Sequence, residues 1–316
     1  MTALRRLAWI ALVLAFGQIV FGAIVRITGS GMGCGDHWPQ CSGYWIPPLE
    51  RPDLIIEVTH RYIAAALTVV IVWLSAVAFV RRRLAGVGGP GGVARATFLA
   101  AALVVAAALF GAATVKLELA NKAVIVTHLA IAMTLLAVLV VAIQRTYETG
   151  TTSPPVSLTT LRSGYAALAL TFLALVLGAL TAHLPGANVA CGGFPLCNGS
   201  WVPTAAVQHV QYTHRLVAFV LLMHMIGFSI GVRRRAERSL YLPTALTFAA
   251  IIAQIVIAAF LVERNLPLIL RSLHEAVGTL IWLFAVWTVV SARRLALHAA
   301  RALRLAGLTP AAEGKA

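Results

Sequence analysis

Four histidines fall in two matching pairs. His60 stands in Ile56-Glu57-Val58-Thr59-His60-Arg61-Tyr62, and His214 in Val210-Gln211-Tyr212-Thr213-His214-Arg215-Leu216, 154 positions later. Each opens an apolar stretch, and each follows a segment holding two cysteines. His128 and His274 stand near the starts of two further apolar stretches. A histidine inside a membrane-crossing run is costly unless paired, liganded or hydrogen-bonded, so it counts as functional by default. Two imidazoles from non-adjacent helices, aimed at one axis, are good axial ligands for haem iron and leave a slot for a flat apolar macrocycle. A zinc or di-iron centre would need carboxylates or thiolates converging at the same depth, and only Glu57, Glu263 and Glu275 lie near these helix ends. The residues therefore point to haem, with one histidine pair per half. His224 lacks an equivalent in the first half, His37 and His183 fall in loops and His298 lies beyond the last apolar run; with His209, none is read as an axial ligand.

The halves differ three residues before the first histidine, where Glu57 in one faces Gln211 in the other. That spacing is nearly one helical turn, so Glu57 shares a face with His60. A carboxylate there can take a proton, hydrogen-bond a hydroxyl or stabilise a cationic centre; a glutamine offers the shape without the charge. One half would then hold a cofactor while the other does chemistry. The bland alternative makes Glu57 a first-turn acid favoured by the helix dipole, or a partner for Arg61. Arg61 and Arg215, beside the histidines, and Arg264 and Arg271, in the last hairpin, are candidates to pair with haem propionates; the alternative for them is snorkelling to lipid phosphate.

The elements that must position these groups are membrane helices. With 60% hydrophobic and 11% charged residues, the 316-residue chain has too little polar surface for water. Runs of about 20 apolar residues cross a bilayer, and eight are expected, at about 8–27, 58–80, 93–114, 124–143, 161–181, 209–231, 242–262 and 273–291. The first is expected to be a structural member and not a cleaved signal, since no small-residue processing site follows it. The net charge of +15 reads as topology, not as nucleic-acid binding. Arg5, Arg6, Arg81–Arg83, Arg95, Arg145, Arg162, Arg233–Arg235, Arg238, Arg293, Arg294, Arg301 and Arg304 all fall on alternate helix ends, which the positive-inside rule makes cytoplasmic. Both termini are then cytoplasmic, and the histidines and cysteines lie toward the extracytoplasmic side of a cell inner or plasma membrane. Cysteines there can persist as disulfides. Three pairings are open to Cys34, Cys41, Cys191 and Cys197; short loop closure and the repeat favour Cys34 with Cys41 and Cys191 with Cys197.

Trp45-Ile46-Pro47 matches Trp201-Val202-Pro203, and the stretch ending Gly22-Ala23 aligns with that ending Gly178-Ala179. Four helices per half is an even number, so the halves enter the membrane in the same sense. The expected fold is all-α and polytopic: two four-helix bundles in a parallel repeat. The first half spans 1–143, a cytoplasmic linker 144–160, the second half 161–304, and a disordered tail 305–316.

These residues together resemble the haem A synthase family, the CtaA/Cox15 proteins. The resemblance rests on Gly29-Ser30-Gly31-Met32-Gly33-Cys34 with Trp38-Pro39 and Cys41, Glu57-Val58-Thr59-His60-Arg61, Thr127-His128, Gln211-Tyr212-Thr213-His214-Arg215 and Leu273-His274. It covers essentially the whole chain, and the order of the motifs around eight spans is more specific than any one of them. It implies oxidation of the C8 methyl of haem O to the formyl of haem A, through hydroxymethyl intermediates, for cytochrome oxidase biogenesis. It further implies a resident haem b on His214 and His274, and substrate haem on His60 and His128 with Glu57 at the reacting edge. Implied partners are the haem O synthase, an unidentified electron donor, cytochrome oxidase assembly factors and membrane lipid. The first cysteine loop, with Gly35-Asp36-His37, departs somewhat from the family's usual form. The main rival is a quinone-linked dihaem electron-transfer cytochrome, which would carry the same histidines without needing Glu57. A thiol oxidoreductase would explain the cysteines but leave the histidines unused.

Overall fold

The computed structural model describes residues 1–35, 37, 40–147 and 156–300, and the backbone of 301–305. Trp38-Pro39, the middle of the expected linker and all but the first residue of the expected tail lie outside the described residues. The described chain is all-helical: α1 Thr2–Ile27, α2 Pro52–Val80, α3 Val93–Lys116, α4 Lys122–Arg145, α5 Leu158–His183, α6 Ala206–Arg234, α7 Tyr241–Glu263 and α8 Leu268–Leu305, with three single 3-10 turns between them. Among the described residues eight helices are long and apolar enough to cross a membrane.

Most helices run a turn or more past their apolar stretches, because polar residues at the bilayer surface continue them. α2 starts at Pro52, with Asp53 in its first turn, a residue fixed at helical φ followed by an acid that suits the helix dipole. Asn121 caps α4 by accepting from the N–H groups of Ala123 and Val124, and Ser157 caps α5 through Thr160. α8 passes the expected end at 291 and reaches Leu305; Ala, Leu and Arg are strong helix formers whether or not lipid surrounds them. The histidines consequently lie further from their helix starts than the apolar runs suggest. His60 is the ninth residue of α2, not about the third, and His214 is the ninth of α6. His128 and His274 are each the seventh residue of their helices, α4 and α8.

α1 packs on α2 and α4, and α3 closes the other side against both; α5 packs on α6 and α8, with α7 against both. α8 also touches α1 and α4. Half of its most apolar window is buried, against 11% for α7, so α8 is the central helix. Trp282 and Val286 of α8 belong to the core of the first four helices, while Ile281 and Ala292 of the same helix join the core built on Met225, Phe228 and Ile251. The Trp282 indole N–H donates to the Met133 carbonyl at 2.7 Å, and Arg294 donates to Gln144 and to the Tyr147 carbonyl. Near the other end, Arg26 of α1 pairs with Glu275 of α8 at 2.5 Å.

The connections repeat as closely as the helices. After α3, Glu118 and Leu119 both take positive φ, as Asn265 and Leu266 do after α7. The Leu119 N–H reaches back to Thr114, and that of Leu266 to Leu261, each five residues away, the longer bond of a Schellman-type stop. In the cysteine loops Gly29 and Gly186 each lead, in a left-handed conformation, into a 3-10 turn. Cys34 is bonded to Cys41, and Cys191 to Cys197. The second cysteine of each loop then forms a two-residue hairpin, Cys41 with Tyr44 and Cys197 with Ser200. The central residues, Ser42-Gly43 and Asn198-Gly199, all have positive φ, the type I′ geometry that Asn-Gly favours.

Candidate functional site

All four histidines lie near the helix ends that carry the cysteine loops and the α3–α4 and α7–α8 turns. Three of them rest against a glycine of the preceding helix. A Cβ on Gly22 of α1 would lie 3.0 Å from the His60 ring, one on Gly111 of α3 3.2 Å from His128, and one on Gly178 of α5 3.0 Å from His214. Nothing larger than glycine leaves the rings where they are, so these positions are seats for imidazoles. The Gly22 and Gly178 alignment is legible in the sequence; what the absent side chains make room for is not, because each contact joins separate helices.

The rings of His214 and His274 meet edge to face, with centroids 6.3 Å apart and planes at 75°. A metal–imidazole bond of about 2.0 Å and the radius of the ring together put two imidazoles on opposite faces of one metal at roughly that centroid spacing. The His214 Nδ1 is anchored at 3.0 Å to the Ala174 carbonyl, four residues before Gly178, which leaves Nε2 free of that bond; fixing one ring nitrogen to orient the other is the usual outer support of a metal-bound histidine. Across from it the buried His274 Nδ1 has no hydrogen-bond partner, while Gln254 of α7 donates to the His274 main-chain carbonyl at 2.9 Å. Among the described residues no three His, Cys, Asp or Glu side chains converge as a metal-ion site. The donor set is thus two opposed imidazoles, which suits a macrocycle that brings its own equatorial ligands.

The first half is built alike with one exchange. Gln18 occupies the position of Ala174, four residues before the seat glycine. Its Nε2 lies 3.1 Å from His60 Nε2 and donates to the His60 carbonyl at 3.0 Å. Phe21 stacks on the His60 ring, with the planes 12° apart. His60 Nδ1 and His128 Nδ1 are buried without partners. Gln18 and Gln254 were not singled out from sequence; a lone amide in an apolar run, costly in lipid, is the signal that finds them.

Glu57 is 3% exposed, with both oxygens engaged. One accepts the Cys34 backbone N–H at 2.8 Å, and the other pairs with Arg61 at 2.5 Å. Gln211 makes the corresponding bond, accepting the Cys191 N–H at 2.7 Å and donating to the Asn188 carbonyl. The carboxylate and the amide thus hold their cysteine loops in the same way, and the charge is the difference between them. Arg61 donates to the carbonyls of His37 and Gln40. Arg215 donates to those of Cys191, Gly193, Pro195 and Leu196. Arg264, exposed at the end of α7, and Arg271 have side chains with no hydrogen-bond partner among the described residues, so their donors are available to a ligand carboxylate. Of the remaining histidines, His224 bonds Ser163 of α5, and His183, which is the last residue of α5 and not in a loop, bonds the Ala179 carbonyl.

The family model for COX15-CtaA, the cytochrome oxidase assembly protein, matches residues 5–54 and 50–286. The chain is 29% identical over 293 residues to a haem A synthase of Staphylococcus haemolyticus, covering 88% of this chain and 92% of that protein. It is 29% identical over 285 residues to a haem A synthase of Geobacillus kaustophilus, covering 85% and 86%. It is 28% identical over 269 residues to one of Halalkalibacterium halodurans, covering 83% and 87%.

Proposed function

Because the chain belongs to the COX15-CtaA family of haem A synthases, we propose that it oxidises the C8 methyl of haem O to the formyl group of haem A through a hydroxymethyl stage. The observation that carries the reading is the repeated imidazole seat: two histidine pairs of one design, of which the second holds one ring, His214, by its Nδ1 and the first holds neither ring in that way. His214 and His274 hold a resident haem b, and His60 and His128 receive the substrate. When bound, the haem of the second half supplies one-electron chemistry. The protein's part is to fix ligand, substrate edge and carboxylate in register.

Glu57 is the catalytic carboxylate in this reading. Its bonds to Cys34 and Arg61 orient it one turn from His60, placed to stabilise positive charge at the reacting carbon or to take its proton. Arg264 and Arg271 pair with propionates at the membrane interface; Arg61 and Arg215, committed to loop carbonyls, support the sites from behind while offering any remaining donors. The two halves, 1–143 and 161–304, form parallel-repeat four-helix bundles. Both termini lie in the cytoplasm, and the cysteine loops and haem sites lie toward the extracytoplasmic side. Haem O arrives from its synthase, an electron-transfer partner serves the second half, and the product passes to cytochrome oxidase assembly.

The test is mass analysis of haem extracted after the purified, reduced protein is given haem O and oxygen, alongside Glu57→Gln. Hydroxylated haem and haem A from wild type only support both the synthase and the role of Glu57. Unchanged haem O with both sites filled would instead mark an electron-transfer cytochrome.

A further inference from the structure

We propose that Gln18 is a positioning residue that makes the His60 site exchangeable, by occupying the ring nitrogen that iron would bind. The inference rests on the two-haem reading above and concerns why one site releases its haem while the other keeps it.

An amide nitrogen carries hydrogens and no free electron pair. Gln18 Nε2 is the donor to the His60 carbonyl, which fixes which end of the amide faces the ring. At 3.1 Å from the same nitrogen, His60 Nε2 must therefore be the acceptor, and the ring proton resides on Nδ1. That Nδ1 is buried without a partner, as is Gln18 Oε1. The resting first site thus spends the Nε2 lone pair on a side chain and leaves two polar atoms unsatisfied. In the second site the matching residue is Ala174, which has no side chain to reach the ring. Its main-chain carbonyl instead takes His214 Nδ1 and leaves Nε2 for iron.

Haem entering the first site competes with Gln18 for one lone pair. Once the amide withdraws, the His60 ring can turn its Nδ1–H to the main-chain carbonyl of Gln18, the counterpart of the Ala174 carbonyl, and adopt the arrangement of His214. Departure of haem reverses this, because the amide returns to Nε2. Apparent affinity falls by the fraction of protein in the occupied-by-amide form. A single net hydrogen bond sets that penalty at about three- to tenfold. Gln254, the other intramembrane amide of this kind, bonds only the main chain of His274, so it imposes no such competition.

The experiment uses the full chain in detergent, loaded with haem b, and follows transfer to excess apomyoglobin by absorption. Two phases are expected, the faster lost in His60→Ala. Gln18→Leu, which keeps the volume, and Gln18→Ala should each slow the fast phase about three- to tenfold and raise the low-spin fraction of that site, with the slow phase unaltered. An unchanged or faster first phase in both variants overturns the proposal while leaving the two-site reading intact, since a residue needed only for α1–α2 packing would loosen the site when removed. A single phase insensitive to His60→Ala would overturn the two-site reading and this inference together.

Discussion

Replacing Gly178 by alanine should displace the His214 ring, the ligand proposed for a resident haem, without touching it chemically. The new Cβ would lie 3.0 Å from Cε1 of His214, 3.5 Å from Nδ1 and 3.6 Å from Nε2. Carbon atoms prefer about 3.5–4.0 Å, so the ring must retreat by roughly half an ångström. It has little freedom to do so, because its Nδ1 is tied to Ala174 on the same helix as the intruding methyl. Overpacking of this kind costs about 1–3 kcal/mol, against which Gly→Ala within a helix returns up to about 1 kcal/mol. Gly227 of α6 provides the control, since a Cβ there meets nothing within 4 Å. The helix preference cancels between the two variants, leaving Gly178→Ala less stable than Gly227→Ala by about 1–3 kcal/mol. Thermal unfolding in detergent reads the stability, and the absorption spectrum reads the loss of low-spin, bis-imidazole haem. Equal midpoints and equal spectra for the two variants would refute the idea that Gly178 is a seat for the imidazole.

Two further outcomes follow from contacts outside the histidines. Arg215→Lys keeps the charge but cannot reproduce a fork over four carbonyls, of which that of Cys191 is in a buried bond and would cost about 1–3 kcal/mol if left unpaired; Cys191 and Cys197 should become reducible by dithiothreitol several times faster, and unchanged thiol-labelling kinetics would count against the clasp. Arg26 and Glu275 are 23% and 34% exposed, which limits their pairing to under about 1 kcal/mol. Arg26→Glu should lower the unfolding midpoint slightly more than that through repulsion, and adding Glu275→Arg should restore it; failure of the second change to restore would mean that the pair does not tie α1 to α8.

The spans, the histidine pairs and the loop cysteines were legible because each leaves a local mark: a long apolar run, a polar residue inside one, or a repeated spacing. Even the early start of α2 has a local cause, since Pro52 and Asp53 begin a helix in a stretch too polar to count as membrane. Pairing of histidines with glycines was not legible, as Gly178 and His214 meet only when α5 and α6 pack. The Glu57–Gln211 difference is visible in the aligned repeats, yet the bond of Glu57 to the Cys34 N–H, and the corresponding bond of Gln211 to the Cys191 N–H, depend on how the loop folds back over the helix. Arg26 carried no sequence signal for its partner, because Glu275 lies at the far end of the chain.

That separation has a consequence in time. Arg26 and Glu275 are 249 residues apart, and ribosomes add roughly 5–20 residues per second, so the cation of α1 waits roughly 10–50 s in the membrane before its carboxylate has been made. Throughout that interval the first four helices also lack Trp282 and Val286, which complete their core. The earliest helix to be synthesised is therefore finished by the latest, and a nascent chain that stalls before α8 lacks His274 altogether and leaves the bundle around His60 and His128 with an incomplete core.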